Sequence, residues 1–218
     1  MRRDATTKKT GIASKTRVLL AASELFAERG YEGTGMREIA SKAQTVLHTA
    51  TYYFATKERL FAECVRLTLR EQVHIQDLFA TPLPPQTERI AAAQAIGAKI
   101  LEITRAFFSE KHHPWAGRLV VRAMVERVAE AQEQMHGLLM LSREWFLPAL
   151  RQVLPSLSEE QFMLWHISLW GQVSFYATAQ PLILQRLQKS RYDEKLLETV
   201  GRHIGSTMLT ALGLPGPA

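Results

Sequence analysis

Thr34–Lys57 reads TGMREIASKAQTVLHTATYYFATK, and two short apolar faces lie in it. Met36, Ile39, Ala40 and Ala43 recur at helical spacing, one side of a short helix. Val46, Ala50 and Tyr53 form a second such side. The opposite side of the second segment carries His48, Thr49 and Tyr52, polar and aromatic groups of the kind that reach base edges and phosphates. The connection around Gln44 and Thr45 leaves room only for a helix–turn–helix. Such a pair cannot bury its apolar faces alone. A preceding helix supplies the third wall through Val18, Ala22, Leu25 and Phe26. Gly30, following Arg29, reads as its left-handed stop. Tyr52 and Tyr53 are adjacent and so diverge, Tyr53 toward the core and Tyr52 outward.

The run Ala21-Ala22, Leu25-Phe26, Gly30-Tyr31, Thr34, Arg37-Glu38-Ile39-Ala40, Ala43, Tyr52-Tyr53-Phe54, Lys57-Glu58 and Leu60 resembles the DNA-binding domain of the TetR family of transcriptional regulators. The match spans residues 14–63 without a gap. The C-terminal half resembles the subgroup that includes CecR (YbiH). The chain departs from the family pattern in three places. Gln44 stands where the family has glycine. Val46 stands where it has serine or threonine, which makes Thr45 the candidate N-cap of the recognition helix. Gly35 replaces the hydroxyl cap of the second helix. The resemblance implies that Lys57, in the first turn of the next helix, meets a DNA phosphate. With the outward face and the basic N-terminus it gives a DNA-contact set of Lys15, Thr34, Arg37, Thr45, Leu47, His48, Thr49, Tyr52 and Lys57. For Arg37 the competing reading is a salt bridge to Glu38 or Glu32.

The 218 residues carry a net charge of +6 and are 46% hydrophobic. Residues 1–17 hold Arg2, Arg3, Lys8, Lys9, Lys15 and Arg17 against Asp4, so nearly all the excess charge precedes the apolar stretch. A basic arm beside a helix–turn–helix attracts phosphates. No apolar run reaches the roughly 20 residues of a membrane span. MRRDATTKKT lacks the apolar centre of a secretory signal. The single cysteine, Cys64, rules out an intramolecular disulfide and suits a reducing, cytoplasmic setting.

Beyond Lys57 every periodic stretch is helical. One helix runs to about Phe79 and stops at Thr81-Pro-Leu-Pro-Pro. Others span about 87–108, 115–134 and 136–154, the last with Pro148 inside it. Ser158-Glu-Glu-Gln161 is a capping box opening a helix that Pro181 bends or ends. The final helix, about 192–212, has Leu196, Leu197, Val200, Ile204, Met208 and Leu209 on one stripe. The predicted fold is all-α with about nine helices. Residues 1–57 form a basic arm and helix–turn–helix domain. Residues 58–218 form a helical regulatory and dimerisation domain. The last two long helices are the predicted dimer seam, with Gly201 and Gly205 allowing close approach.

All four tryptophans fall after residue 114. Phe108, Trp115, Arg122, Trp145, Trp165, His166 and Trp170 are the candidate pocket for an amphipathic, partly aromatic effector. The competing reading is a packed core, in which any inward arginine, Arg118, Arg122 or Arg143, needs a partner. No catalytic constellation, phosphate loop or dinucleotide fingerprint is present. The adjacent His112-His113 chelate a single ion poorly, and no metal or cofactor is expected. The resulting expectation is a homodimeric repressor that binds a palindromic operator and is released by a small ligand. The alternatives are a helical hydrophobic-ligand carrier and, further off, a helical enzyme.

Overall fold

The computed structural model describes residues 3–83, 88–108 and 113–216. Among these are eleven α-helices, one π-helical segment and no strand. The chain divides into two compact units, Met1–Gln72 with Trp115–His136, and Val73–Pro114 with Gly137–Ala218.

In the first unit, α1 (Arg3–Arg29), α2 (Met36–Lys42), α3 (Leu47–Phe54), α4 (Lys57–Leu67) and α7 (Ala116–Val125) pack around one core. Val18, Ala22, Leu25 and Phe26 on α1 are buried, with Ile39 and Ala40 on α2, Ala50 and Phe54 on α3, and Leu60, Phe61 and Cys64 on α4. Phe26 meets Phe61 edge-on at 4.9 Å, and Tyr31 leans on the same ring at 5.5 Å. Burial pushes the Cys64 thiol up to about 12, so it packs as an inert apolar group. Gly30 ends α1 at φ +76, as its position predicts.

Two expectations change here. The basic segment expected as an arm ahead of the first helix is the first half of α1 from Arg3 onward. Its residues include no proline, and Ala, Lys and Thr tolerate helix well enough to extend the folded part. Arg2 lies outside the described residues. The unit also runs past residue 57, because α4 and α7 bury their apolar faces against α1.

The helix expected over 57–79 is three pieces. After α4 the chain forms a π-helical segment, Thr68–Gln72. It then turns at His74, whose φ of 50° is left-handed, into α5 (Ile75–Ala80). The break expected near 135 falls at Glu126, which turns to an extended conformation at the end of α7.

The second unit holds α6 (Arg89–Phe108), α8 from Gly137 of its span Ala129–Val153, α9 (Glu159–Thr178), α10 (Gln180–Arg186) and α11 (Glu194–Thr210). The helix α8 continues through Pro148. The capping box at Ser158 is present with both its hydrogen bonds. Pro181 ends α9 and opens α10. The apolar stripe of α11 packs on α6 within the subunit, and Gly201 sits where a Cβ would lie 2.6 Å from Leu101 Cδ1 and 3.1 Å from its Cα. Gly201 and Gly205 are buried. Gly201 serves the α6–α11 approach. Among the described residues no helix is long and apolar enough to cross a membrane.

Candidate nucleic-acid interface

The turn between α2 and α3 is closed by backbone alone. Gln44 N–H donates to Ser41 O at 3.0 Å and Thr45 N–H to Ala40 O at 2.9 Å, a Schellman arrangement. It requires a left-handed residue, and Gln44 supplies it at φ 51°. Arg17 Nε donates to Ala43 O at 3.3 Å, adding a cation to the carboxyl end of α2. Lys42 pairs with Glu24 at 3.0 Å, tying α2 to α1.

The recognition helix α3 has Val46 as its N-cap, with no side-chain cap. Thr45 therefore does not cap it. The reason is register, since the Schellman closure spends the Thr45 amide on Ala40 and delays helix entry by one residue. The buried face is Ala50 and Phe54. Val46, expected on that face, is 66% exposed. Tyr53 is half-buried and Tyr52 is 76% exposed, as their divergence predicts. Leu47 and His48 are exposed beside Tyr52, and Thr49 is partly so.

Two residues, Ala55 and Thr56, link α3 to α4. Ala55 lies at φ 59°, ψ −58°, and Thr56 N–H donates to Phe54 O at 2.6 Å, a strained γ-turn. Thr56 then caps α4, its hydroxyl accepting from Arg59 N–H at 3.2 Å. This puts Lys57 at the first position of α4. Its ammonium lies 4.2 Å from the centre of the Tyr31 ring, and a cation held on a ring face keeps N–H groups for another partner. The Tyr31 hydroxyl donates to the Glu58 carboxylate, which that bond lowers below its usual range. Lys15 stands 5.7 Å from the Phe54 ring, at the far end of α3. Glu38 is taken by Arg29, and Arg37 is exposed with no ion pair among the described residues.

Thr34 does not belong to this surface. It is 1% exposed, and its hydroxyl donates to Leu25 O at 3.2 Å and Gly30 O at 2.9 Å. It locks the corner after α1 and has nothing left to offer a phosphate. The same corner is gripped by α7. Glu126 Oε1 accepts from Tyr31 N–H at 2.9 Å, and Arg122 donates to Glu28 O at 3.3 Å. Tyr31 is part of the family-like run, but its tie to Glu126 was not legible in the sequence, because the bond spans 95 residues.

The seven residues expected to form one effector pocket divide between the units. Trp115 and Arg122 are in the first, so tryptophan is not confined to the C-terminal unit. The others are in the second. Phe108 leans on Tyr192 at 5.4 Å. Trp145, Trp165 and Trp170 are buried, and each indole N–H has a protein partner. Trp145 donates to Thr81 O at 2.7 Å and Trp165 to Met208 O at 2.8 Å. Trp170 reaches Ser142 Oγ at 3.2 Å and His166 Nε2 at 3.1 Å. His166 Nε2 also lies 2.8 Å from Ser142 Oγ, and burial, with Arg143 adding to it, holds the imidazole down at about 4. It is neutral at pH 7. Since an indole only donates, Nε2 accepts and the proton sits on Nδ1. This cluster has the bonding of a core. Arg143 pairs outward with Glu159 at 3.0 Å. The Arg118 Nε is buried without a hydrogen-bond partner among the described residues. His112 lies outside the described residues. No group of three or more metal-ligating side chains occurs among them.

The family model of the bacterial regulatory proteins, tetR family, matches residues 18–64, the stretch holding α2, α3 and most of α4. The model of the C-terminal domain of the HTH-type transcriptional dual regulator CecR matches residues 92–213. The chain belongs to the TetR family. That family consists of transcriptional regulators rather than enzymes. They bind DNA operators and small-molecule effectors, typically as dimers. The HTH-type transcriptional regulator RutR of Escherichia coli K12 is 29% identical over 128 residues, 57% of this chain and 54% of RutR. The chain thus aligns with about half the length of the curated relatives it matches. A TetR-like regulator from Rhodococcus sp. RHA1 shares the fold at TM-score 0.62 and 19% identity, over 92% of this chain and 96% of that one. The regulator FadR of Bacillus subtilis, solved with stearoyl-CoA, does so at TM-score 0.61 and 14% identity, over 90% and 98%.

Proposed function

We propose that this TetR-family chain is a cytoplasmic DNA-binding transcriptional repressor that acts as a homodimer on a palindromic operator. The observation that carries the reading is the outward set on α3, Leu47, His48, Thr49 and Tyr52, flanked by Arg37, Lys15 and the ring-held Lys57. Side chains of α3 would read base edges in the major groove, and the cations would meet the backbone on either side. The reading element and its cations lie within residues 1–57.

One recognition helix covers too few base pairs for a genomic address, which favours a two-fold dimer. An apolar stripe on α9 supports it, with Met163 54%, Leu164 59%, Ile167 61% and Phe175 59% exposed. It borders a recess of about 830 Å³ lined by Gly171, Phe175, Leu182, Val200 and His203, among others. In an isologous contact the partner's copy of the stripe fills this recess. Since α11 spends its own apolar stripe on α6, α9 supplies most of the apolar contact and α11 a polar margin.

The effector would be amphipathic and partly aromatic. It would bind in the second unit, where Phe108, Trp145, Trp165, His166 and Trp170 lie, by selecting a form in which that closed cluster opens. Its effect on DNA equals its difference in affinity between the two forms.

The test is a gel shift against DNA upstream of the chain's own gene. The wild type should shift a palindromic fragment, and Ile167→Glu should run as a monomer on sizing and lose the shift. A monomeric wild type, or no shift on any fragment, overturns the proposal. Hydrophobic drugs, aromatic acids and acyl compounds that release the DNA at the concentrations that change tryptophan fluorescence would establish the effector role.

A further inference from the structure

Among the described residues of the first unit five large apolar side chains are exposed, Leu20, Val46, Leu47, Tyr52 and Val125. Three of them fall within seven residues, on or at the tip of the recognition helix. Val46 is 66% exposed and Leu47 is 37% exposed. The backbone of Val46, at φ −89° and ψ 152°, is extended, so its side chain stands off the end of α3 instead of folding back onto the core. Ala50 and Phe54 already fill the inward face.

Two costs meet at Val46. Valine offers no oxygen to the free N–H groups of the first turn, and none of the cap hydrogen bonds that serine or threonine would make is formed. Its isopropyl group also stands in water. A residue that gives up both a cap and burial at the tip of a reading helix points to a contact made only in the bound state. The first residues of such a helix are the ones that approach base edges. The major groove offers one apolar feature, the 5-methyl group of thymine.

We propose that Val46, with Leu47 beside it, reads thymine methyl groups at the tip of α3 and makes methyl-bearing positions part of the operator's specificity. The inference rests on the regulator reading above. It assigns a role to Val46, which lay outside the expected contact set. His48, one residue further in, carries the neighbouring hydrogen-bonding readout.

The experiment uses the full-length chain. Binding sites are selected from a random-sequence duplex pool. Each thymine of the selected site is then replaced singly by deoxyuridine, which removes the methyl group and leaves every hydrogen-bonding edge unchanged. At one or two thymines per half-site the replacement should weaken binding roughly fourfold each, the value of one buried methylene-sized group. Val46→Ala should abolish that discrimination at one of these thymines while still binding the site. The substitution is at an exposed position, and an unchanged melting curve establishes that the variant is folded. If every deoxyuridine site binds like its thymine parent, the inference fails and the regulator reading stands. If discrimination survives at all positions in Val46→Ala and Leu47→Ala alike, another side chain reads the methyl and the inference fails. If no site is enriched from the pool, both readings fall.

Discussion

At the scale of single residues, Gln44 and Ala55 are strained positions that shape the reading head. Gln44 occupies a left-handed conformation that costs a residue with a Cβ about 1–2 kcal/mol and costs glycine nothing. Gln44→Gly should therefore stabilise the chain, by about 0.5–1 kcal/mol after the extra freedom glycine gains in the unfolded state. Thermal denaturation measures it, and a lower melting temperature would contradict the turn geometry. His166 sets a pH dependence. Its folded value of about 4 lies below its ordinary 6.5, so the unfolded state binds more protons between these values. Stability is fully present above about pH 6.5, falls as pH drops, and levels off below about pH 4. Between pH 7 and pH 5 the loss from this residue is about 2 kcal/mol. His166→Gln should flatten that part of the profile, and an equally steep profile would assign it elsewhere. Lys57→Gln should weaken DNA binding evenly across sequences and lower the salt slope by about 0.9, the signature of one lost phosphate contact. A slope unchanged from wild type would leave Lys57 as a support for Tyr31 alone.

At the scale of elements, α7 and α11 differ most from their sequence appearance. The carboxyl end of α7 holds the corner after α1 through Glu126 and Arg122. Glu126→Ala leaves the partly buried Tyr31 N–H without its acceptor and should cost about 1–3 kcal/mol. Glu126→Gln, which can still accept, should recover most of it in the same melting experiment. For α11, the stripe Leu197, Val200, Ile204 and Met208 was visible as a helical period, but its partner is α6. Gly201→Val places side-chain atoms against the Leu101 backbone and should destabilise by about 1–3 kcal/mol through overpacking. It should leave the oligomeric state unchanged below its melting temperature, whereas a glycine on an intersubunit seam would dissociate the protein when filled.

At the scale of the whole molecule, the proposed dimer couples stability to concentration. Burial of the α9 stripe in a two-fold contact makes the melting temperature rise with protein concentration. Ile167→Glu should remove that dependence together with operator binding. Measured over a hundredfold concentration range, a constant melting temperature in the wild type would argue for a monomer.

By itself the sequence determined the all-α class, the helix–turn–helix and its family, the stop at Gly30, the capping box at Ser158 and the breaks at Thr81-Pro and Pro181. Each of these is written in a local pattern, a period of 3.6 residues or one residue with restricted backbone angles. It also placed His48 and Tyr52 outward, from a face read as Val46, Ala50 and Tyr53, of which only Ala50 is fully buried. Tertiary structure alone decided that Thr34 is a buried lock, that Val46 and not Thr45 stands at the N-cap position of α3, that Arg122 donates to the last turn of α1, and that Gly201 serves α6. These outcomes depend on which surface meets which, as in the bond from Tyr31 to Glu126 across 95 residues. A helical period shows that a face is apolar but does not name the partner that covers it, and for the stripe of α11 the fold supplies α6.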